Sequence, residues 1–357
     1  MSSRRVVQLL SGFADGDATS SEARALHTLF LRLGHASEIY AADDHIAPAM
    51  AGRCRPLSSF CGRDDDVLLH HYGIASPAVE AFVTAPGRKV LVHHNITPAP
   101  FFRGFDDALA ERLDRARTDL KAVASACKSV WAVSDYNAHE LRELGVGDVR
   151  VFPLIFPAAE FDAAPDPRIL ARFEAPMTNL LFVGRIAPNK CIEELILAFA
   201  WYKRRINPLS RLLVIGSKRS CPRYYAMLRM LADELDLENV YLEGFASEAG
   251  LTAYYQVAGA FVCASRHEGY CLPLVAAMYQ EVPVIARDAG GMPEAMGGAG
   301  VLFDDLDAGE LAELIRRVTG DPALRGEVLA SQQRRIQQVL HRPVEAELKA
   351  LLNEVLS

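Results

Sequence analysis

Short apolar runs recur along the chain between longer amphipathic segments, and this alternation restricts the fold more than any other feature. In the first half the runs are 6–10, 37–41, 67–71, 89–93, 129–133 and 149–154; in the second they are 180–183, 212–215, 240–242, 260–264, 282–286 and 301–303. The spacer 22–33 places Leu26, Leu29, Phe30 and Leu33 on one helical face. Apolar strands alternating with amphipathic helices predict an α/β architecture in which parallel sheets are covered on both faces. Two such series predict two doubly wound, Rossmann-like domains of similar size. Pro157, Pro165, Pro167 and Pro176 interrupt regular structure across 156–177, which sets the domains at 1–157 and 158–340. The remainder, 341–357, holds a helix candidate from Pro343 to Leu356. Open α/β sheets bind ligands beyond the carboxyl ends of their strands, so polar residues just after a strand are the first candidates for function.

Composition removes several classes. Half of the 357 residues are hydrophobic, enough for two ordinary cores, and 38 Lys and Arg against 45 Asp and Glu give a formal charge of −7. Neither half has a basic excess, so the electrostatic footprint of nucleic-acid binding is absent, as is a polybasic membrane anchor. Seven cysteines without any Cys-x-x-Cys spacing suggest reduced thiols and a cytoplasmic protein. The opening Met-Ser-Ser-Arg-Arg-Val-Val-Gln-Leu-Leu is too short in apolar residues for a signal peptide. No run reaches the length of a membrane span, and the sequon at Asn95 is read as chance. Asp64-Asp65-Asp66 directly precedes an apolar strand, where solvated acids are common, and carries no metal reading. Gly297-Gly298-Ala299-Gly300 lacks dinucleotide-binding spacing and opens a strand.

The densest chemistry lies in 265–284. An apolar strand ends in a polar loop with Glu268 and Gly269; a helix follows with Pro273 in its first turn, and another strand begins after Pro283. N–H groups at a helix start suit a phosphate, and an adjacent carboxylate suits sugar hydroxyls. The stretch Glu-Gly-Tyr-Cys-Leu-Pro-Leu-Val-Ala-Ala-Met, then Val-Pro-Val, resembles the signature of the retaining glycosyltransferases of sequence family 4, which have the GT-B fold. That resemblance implies two domains facing across an interdomain cleft, with the last helix crossing back to the first. It further implies that Glu268 contacts the transferred sugar and that the backbone of Gly269, Tyr270, Cys271 and Leu272 meets phosphate. The family places a second glutamate eight residues after the first, where it accepts hydrogen bonds from the donor ribose. Ala276 stands there and cannot. Glu281, five residues on, points roughly 140° away along a helix. Weak nucleotide binding, or ribose contacts from another loop, is expected.

Gly184-Arg185-Ile-Ala-Pro-Asn-Lys190 follows the first strand of the second half. Lys190 is expected in the first helical turn, where the dipole disfavours a cation unless an anion lies between. The spacing is similar to the family's Gly-Arg-x-x-x-x-Lys element, which implies that Arg185 and Lys190 hold a donor diphosphate. Gly290-Gly291-Met-Pro-Glu294 resembles the family's Gly-Gly-x-Pro-Glu turn and is read as support for the fold alone. Of His93 and His94, at a strand end, alternation buries one and turns the other outward; relatives place a histidine here near the reacting sugar, which implies that role for His94. The loop 12–20 corresponds to a glycine-rich loop of relatives, giving Gly16 and Asp17 as weaker candidates.

Together these readings imply a hexosyl-transferring enzyme that moves a sugar from a nucleotide diphosphate donor, UDP before GDP, to a saccharide, lipid-linked or natural-product acceptor with retention. Polysaccharide assembly is one setting. No cofactor and no metal are expected; the nucleotide-sugar is a co-substrate, and contact with the inner face of a membrane stays open. The rival readings are a sugar-nucleotide epimerase of the same fold and a non-catalytic binding subunit.

Overall fold

The computed structural model describes residues 4–174 and 176–357, so the first three residues of the amino-terminal segment and Ala175 of the proline-rich seam lie outside the described residues. The described chain divides into two compact units. The first runs to Pro100 and continues through Ala108–Ile155 and Arg342–Ser357; the second comprises Phe101–Asp107 and Phe156–His341.

In the first unit the elements are β1 (Arg5–Leu10), α1 (Ala18–Arg32), β2 (Ala36–Ala41), β3 (Arg55–Pro56), β4 (Val67–Tyr72), α2 (Pro77–Thr84), β5 (Arg88–His93), α3 (Asp107–Ser125), β6 (Ser129–Ala132), α4 (Asp135–Glu143) and β7 (Val149–Val151). All strand pairs are parallel, in the order β3-β2-β1-β4-β5-β6-β7. The central strand β4 is buried at every residue, as a parallel strand covered on both faces must be. Two strands differ from the sequence expectation. β7 stops at Val151 because Pro153 has no N–H to continue the ladder, and β3, with Pro56, is confined to the sheet edge for the same reason.

The second unit contains α5 (Pro167–Phe173), β8 (Thr178–Val183), α6 (Ile192–Arg205), β9 (Ser210–Ile215), α7 (Pro222–Glu234), β10 (Val240–Glu243), α8 (Glu248–Gln256), β11 (Ala260–Cys263), α9 (Leu272–Tyr279), β12 (Val284–Arg287), α10 (Met292–Met296), β13 (Val301–Phe303), α11 (Ala308–Gly320) and α12 (Pro322–Leu340). Its sheet is also parallel, ordered β10-β9-β8-β11-β12-β13. In each sheet the chain starts centrally, builds outward on one side and then crosses to the other. The reversals fall between β1 and β4 and between β8 and β11, and such switch points leave a crevice beyond the strand ends.

The last helix, α13 (Val344–Leu356), buries Leu348, Leu351, Leu352 and Val355 and belongs to the first unit. Arg342 leads into it, with its guanidinium 4.6 Å over the Phe152 ring and Nη1 donating to the Pro153 carbonyl at 2.5 Å. Nearby, the Glu22 carboxylate of α1 accepts the Ile155 N–H at 2.8 Å while only 1% exposed. Burial pushes this carboxyl up to about 7, against the Ile155 hydrogen bond and the Arg342 charge. A raised carboxyl pKa means stability that is full below the unfolded value near 4.5 and declines as pH rises through the folded value. Glu22→Gln removes that decline, so its melting temperature should match the wild type at pH 5 and exceed it at pH 8. Thermal unfolding at both pH values checks this; an identical difference at the two would refute it.

Candidate active site

At the switch point of the second unit, β8 and β11 are hydrogen-bonded neighbours, with Leu180 opposite Ala260 and Leu181 opposite Phe261. The loops after them, 184–191 and 264–271, are therefore forced side by side. Their side chains meet: Lys190 Nζ lies 2.5 Å from Glu268 Oε1, and both side chains are nearly enclosed, at 12% and 10% exposure. A second tie is Asn189, itself buried, whose Nδ2 donates to the His267 carbonyl at 3.0 Å while its own carbonyl accepts the Arg266 N–H. Arg185, at the mouth of the same loop, is exposed and makes no hydrogen bond or ion pair among the described residues.

Lys190 is not in the first turn of α6. Residues Pro188–Lys190 form a separate 3₁₀ turn, closed by the Cys191 N–H on the Pro188 carbonyl. Cys191 then takes a left-handed conformation (φ 49°) and α6 starts at Ile192, whose N–H is already taken by the Tyr224 hydroxyl at 2.8 Å. Lys190 therefore does not oppose the α6 dipole, as the sequence led one to expect, and is held by Glu268 instead.

Glu268 sits in a loop braced from below and behind. Arg287, buried on β12, donates from Nε to the Ala264 carbonyl at 3.1 Å and pairs with Glu194 and Asp305, and exposed Arg266 pairs with the same two acids. Behind the loop, the Gly291 N–H donates to the Glu268 carbonyl at 2.9 Å. A Cβ on Gly290 would come within 2.3 Å of that carbonyl oxygen, and one on Gly291 within 2.1 Å of the Gly269 oxygen. The Gly-Gly pair is thus a mould for the Glu268 loop as well as a turn (Gly290 φ 59°).

Cys271 closes the loop in a left-handed conformation (φ 75°), a strained choice for a residue with a side chain, and aims the chain into α9. No side chain caps α9, Pro273 has no N–H, and the Leu274 N–H donates to the Cys271 carbonyl, so the Leu272 N–H is the donor that the first turn offers an anion. Tyr270 is buried, while Gly269 and Leu272 are half-exposed. One group among the described residues has metal-ligand chemistry: Cys263 and Cys271 with Glu268, their ligand atoms all within 4.8 Å. The Lys190 ammonium on Glu268 and the positive end of α9 beside Cys271 oppose a cation there. Ala276 is fully buried on α9. A glutamate at this position has no open space to enter, so Ala276→Glu overpacks the helix face before it offers a carboxylate to any ribose.

The other sequence candidates belong to the first unit. His94 follows β5 half-buried, and His93 is fully buried with Nε2 2.9 Å from Glu140 Oε2. Burial, then the His93 and His70 charges, depress His94 to about 3. Its Nε2 is 2.8 Å from His71 Nδ1, and His71 Nε2 is 2.9 Å from Gln8 Oε1. Asp17 is committed elsewhere: its carboxylate caps α1, accepting Ser20 N–H at 2.9 Å and Ser20 Oγ–H at 2.8 Å. Gly16 precedes it with φ 69°, so that loop makes a helix entry first. Asn189, Arg287, Gln8 and His71 were not among the sequence candidates.

Two parallel doubly wound units with loops of this kind at the switch point define the GT-B class, and solved structures agree. The chain superposes on a sucrose-phosphate synthase of Thermosynechococcus elongatus with a TM-score of 0.77 over 99% of both chains at 20% identity. On Anabaena HepE, solved with UDP and glucose, the TM-score is 0.72 over 98% of this chain and 99% of that one, at 17% identity. Residues 173–336 match the family "Glycosyl transferases group 1". A D-inositol 3-phosphate glycosyltransferase of Thermobifida fusca is 27% identical over 79% of this chain and 68% of its own length. The Escherichia coli serotype-specific mannosyltransferase WbdA is 23% identical over 77% of this chain, which spans about a third of that protein. With that match and these relatives, the chain is a glycosyltransferase. Among the described residues no helix is long and apolar enough to cross a membrane.

The mould behind Glu268 carries a prediction. Gly290→Ala combines a left-handed φ with a backbone collision, and should destabilise the protein by about 1–3 kcal/mol. Thermal unfolding should show the loss; an unaltered melting temperature would contradict the close approach.

Proposed function

We propose that the chain transfers a sugar from a nucleoside diphosphate donor, a UDP-sugar in the first instance, to an acceptor hydroxyl with retention and without a metal. The carrying observation is the Lys190–Glu268 pair, held at the ends of β8 and β11 beside the start of α9 and the exposed Arg185. An ammonium has three donors, so Lys190 can keep Glu268 and still meet a phosphate oxygen. Arg185 and Lys190 offset the charge that grows on the leaving diphosphate, the task a metal performs in other enzymes. Glu268 accepts hydrogen bonds from the hydroxyls of the sugar and orients it. Backbone donors from Gly269 to Leu272 face the phosphates, with Gly184 leaving room at the strand end. His94 contributes a ring nitrogen to a substrate hydroxyl. The acceptor attacks from the face the diphosphate leaves, and a phosphate oxygen takes its proton. UDP is favoured because HepE binds UDP and glucose; the acceptor is a saccharide or another polyhydroxyl, in keeping with the inositol phosphate and mannosyl relatives.

The test starts with a thermal-shift panel of nucleoside diphosphates, in which UDP should raise the melting temperature most. With the UDP-sugar so identified, Arg185→Ala and Lys190→Ala should each lower turnover by about a hundredfold or more, and the product should keep the donor's anomeric configuration by NMR. Near-normal kcat in both variants overturns the diphosphate assignment. Activity should also persist in excess EDTA; loss that Mg²⁺ or Mn²⁺ restores overturns the metal-free mechanism.

A further inference from the structure

Three adjacent strands of the first unit, β1, β4 and β5, carry a line of hydrogen-bonded polar side chains across the sheet. Gln8 on β1 is fully buried, His71 on β4 is 2% exposed, and His94 follows β5. The line begins at a backbone carbonyl. Gln8 Nε2 donates to the Ala23 oxygen at 2.9 Å. A carbonyl only accepts, so this contact settles which end of the amide faces which way. Gln8 Oε1 therefore faces His71 Nε2, at 2.9 Å, and it too can only accept. His71 must carry its proton on Nε2. Burial and the neighbouring imidazoles hold both rings neutral, so each has a single N–H. His71 Nδ1 is then bare and takes the proton of His94 Nε2 across 2.8 Å. The remaining nitrogen, His94 Nδ1, is left with a lone pair and no hydrogen-bond partner among the described residues.

We infer that Gln8 and His71 are positioning residues that fix His94 in the Nε2–H form, so that its Nδ1 accepts a hydrogen bond from a substrate hydroxyl. The substrate half of this inference rests on the proposed glycosyl transfer; the tautomer half rests on the relay alone. A ring fixed in this way has no proton to give at Nδ1. It selects a hydroxyl that donates, and it neither protonates a leaving group nor repels a cation.

The relay is tested by ¹⁵N NMR of the full chain labelled at histidine, with the His94 signals identified by their loss in His94→Asn. At pH 7 the wild type should show His94 with a bare Nδ1 and a protonated Nε2. In His71→Phe, and separately in Gln8→Leu, the His94 signals should move to those of a tautomer mixture. An Nδ1–H form in the wild type overturns the relay, and this measurement needs no variant to fold beyond the one used for assignment. A single Nε2–H form persisting in both folded relay variants overturns it as well. Kinetics then test the hydroxyl contact. His94→Ala should lower kcat/KM about three- to tenfold, His71→Phe by less, and His94→Asn, whose Oδ1 lies near the place of Nδ1, should recover part of the loss. The expected tautomer together with wild-type kinetics in His94→Ala overturns the hydroxyl contact and leaves the relay standing. Loss of activity in Arg185→Ala with no loss in His94→Ala would confine the failure to His94 and spare the diphosphate reading.

Discussion

A parallel strand can be followed by its parallel neighbour only through a crossover on one face of the sheet. Both sheets here consist wholly of such strands, and the remaining organisation follows from that constraint. Covered faces admit polar groups only when they are paired, so the strand ends are where polar residues can meet a ligand. Where the winding reverses, between β8 and β11 and between β1 and β4, consecutive crossovers leave on opposite faces and the loops above the two strands lie open beside each other. Glu268 and Lys190 are 78 positions apart in the chain and become neighbours only because β8 and β11 are.

The pairing of those two side chains is then an electrostatic matter. Each is largely withdrawn from water, and a charge so placed is tolerated only with a close opposite partner. Such a pair adds little net stability, but removing one member strands the other. Its value lies in geometry: the Lys190–Glu268 contact, the Asn189 bonds and the Arg287 network fix the Glu268 loop from three sides. The glycines at 290 and 291 add a fourth, since any side chain there would occupy the space of the loop backbone.

The first unit uses the same architecture for a different purpose. Its switch point lines up Gln8 and His71 on adjacent strands, and a hydrogen-bond direction imposed by one helix carbonyl passes along them to His94. Buried polar groups are expensive unless paired, and here their pairing has only one consistent pattern of protons.

Much of this was legible beforehand. The strand and helix sequence follows from hydrophobic period, because parallel strands buried on both faces read as continuous apolar runs, whereas Glu268, Arg185 and Lys190 stood out through their resemblance to a family motif. Hints of the relay were present too: Gln8 interrupts the run Val-Val-Gln-Leu-Leu, and two histidines interrupt Val67–Tyr72. What the sequence alone determined was the class of fold, since that depends on local pattern; the residues proposed to meet a sugar and a diphosphate came from resemblance to a motif. Tertiary structure alone decided which groups touch. It moved Lys190 out of α6 and onto Glu268, turned Asp17 into a helix cap, closed the space around Ala276, and made the Gly290–Gly291 turn a mould for a loop some twenty residues away. Contacts of that kind are set by sheet order and by left-handed residues such as Cys191 and Cys271. Neither leaves a periodic trace in the chain, because strand order depends on how buried surfaces compete over long sequence separations.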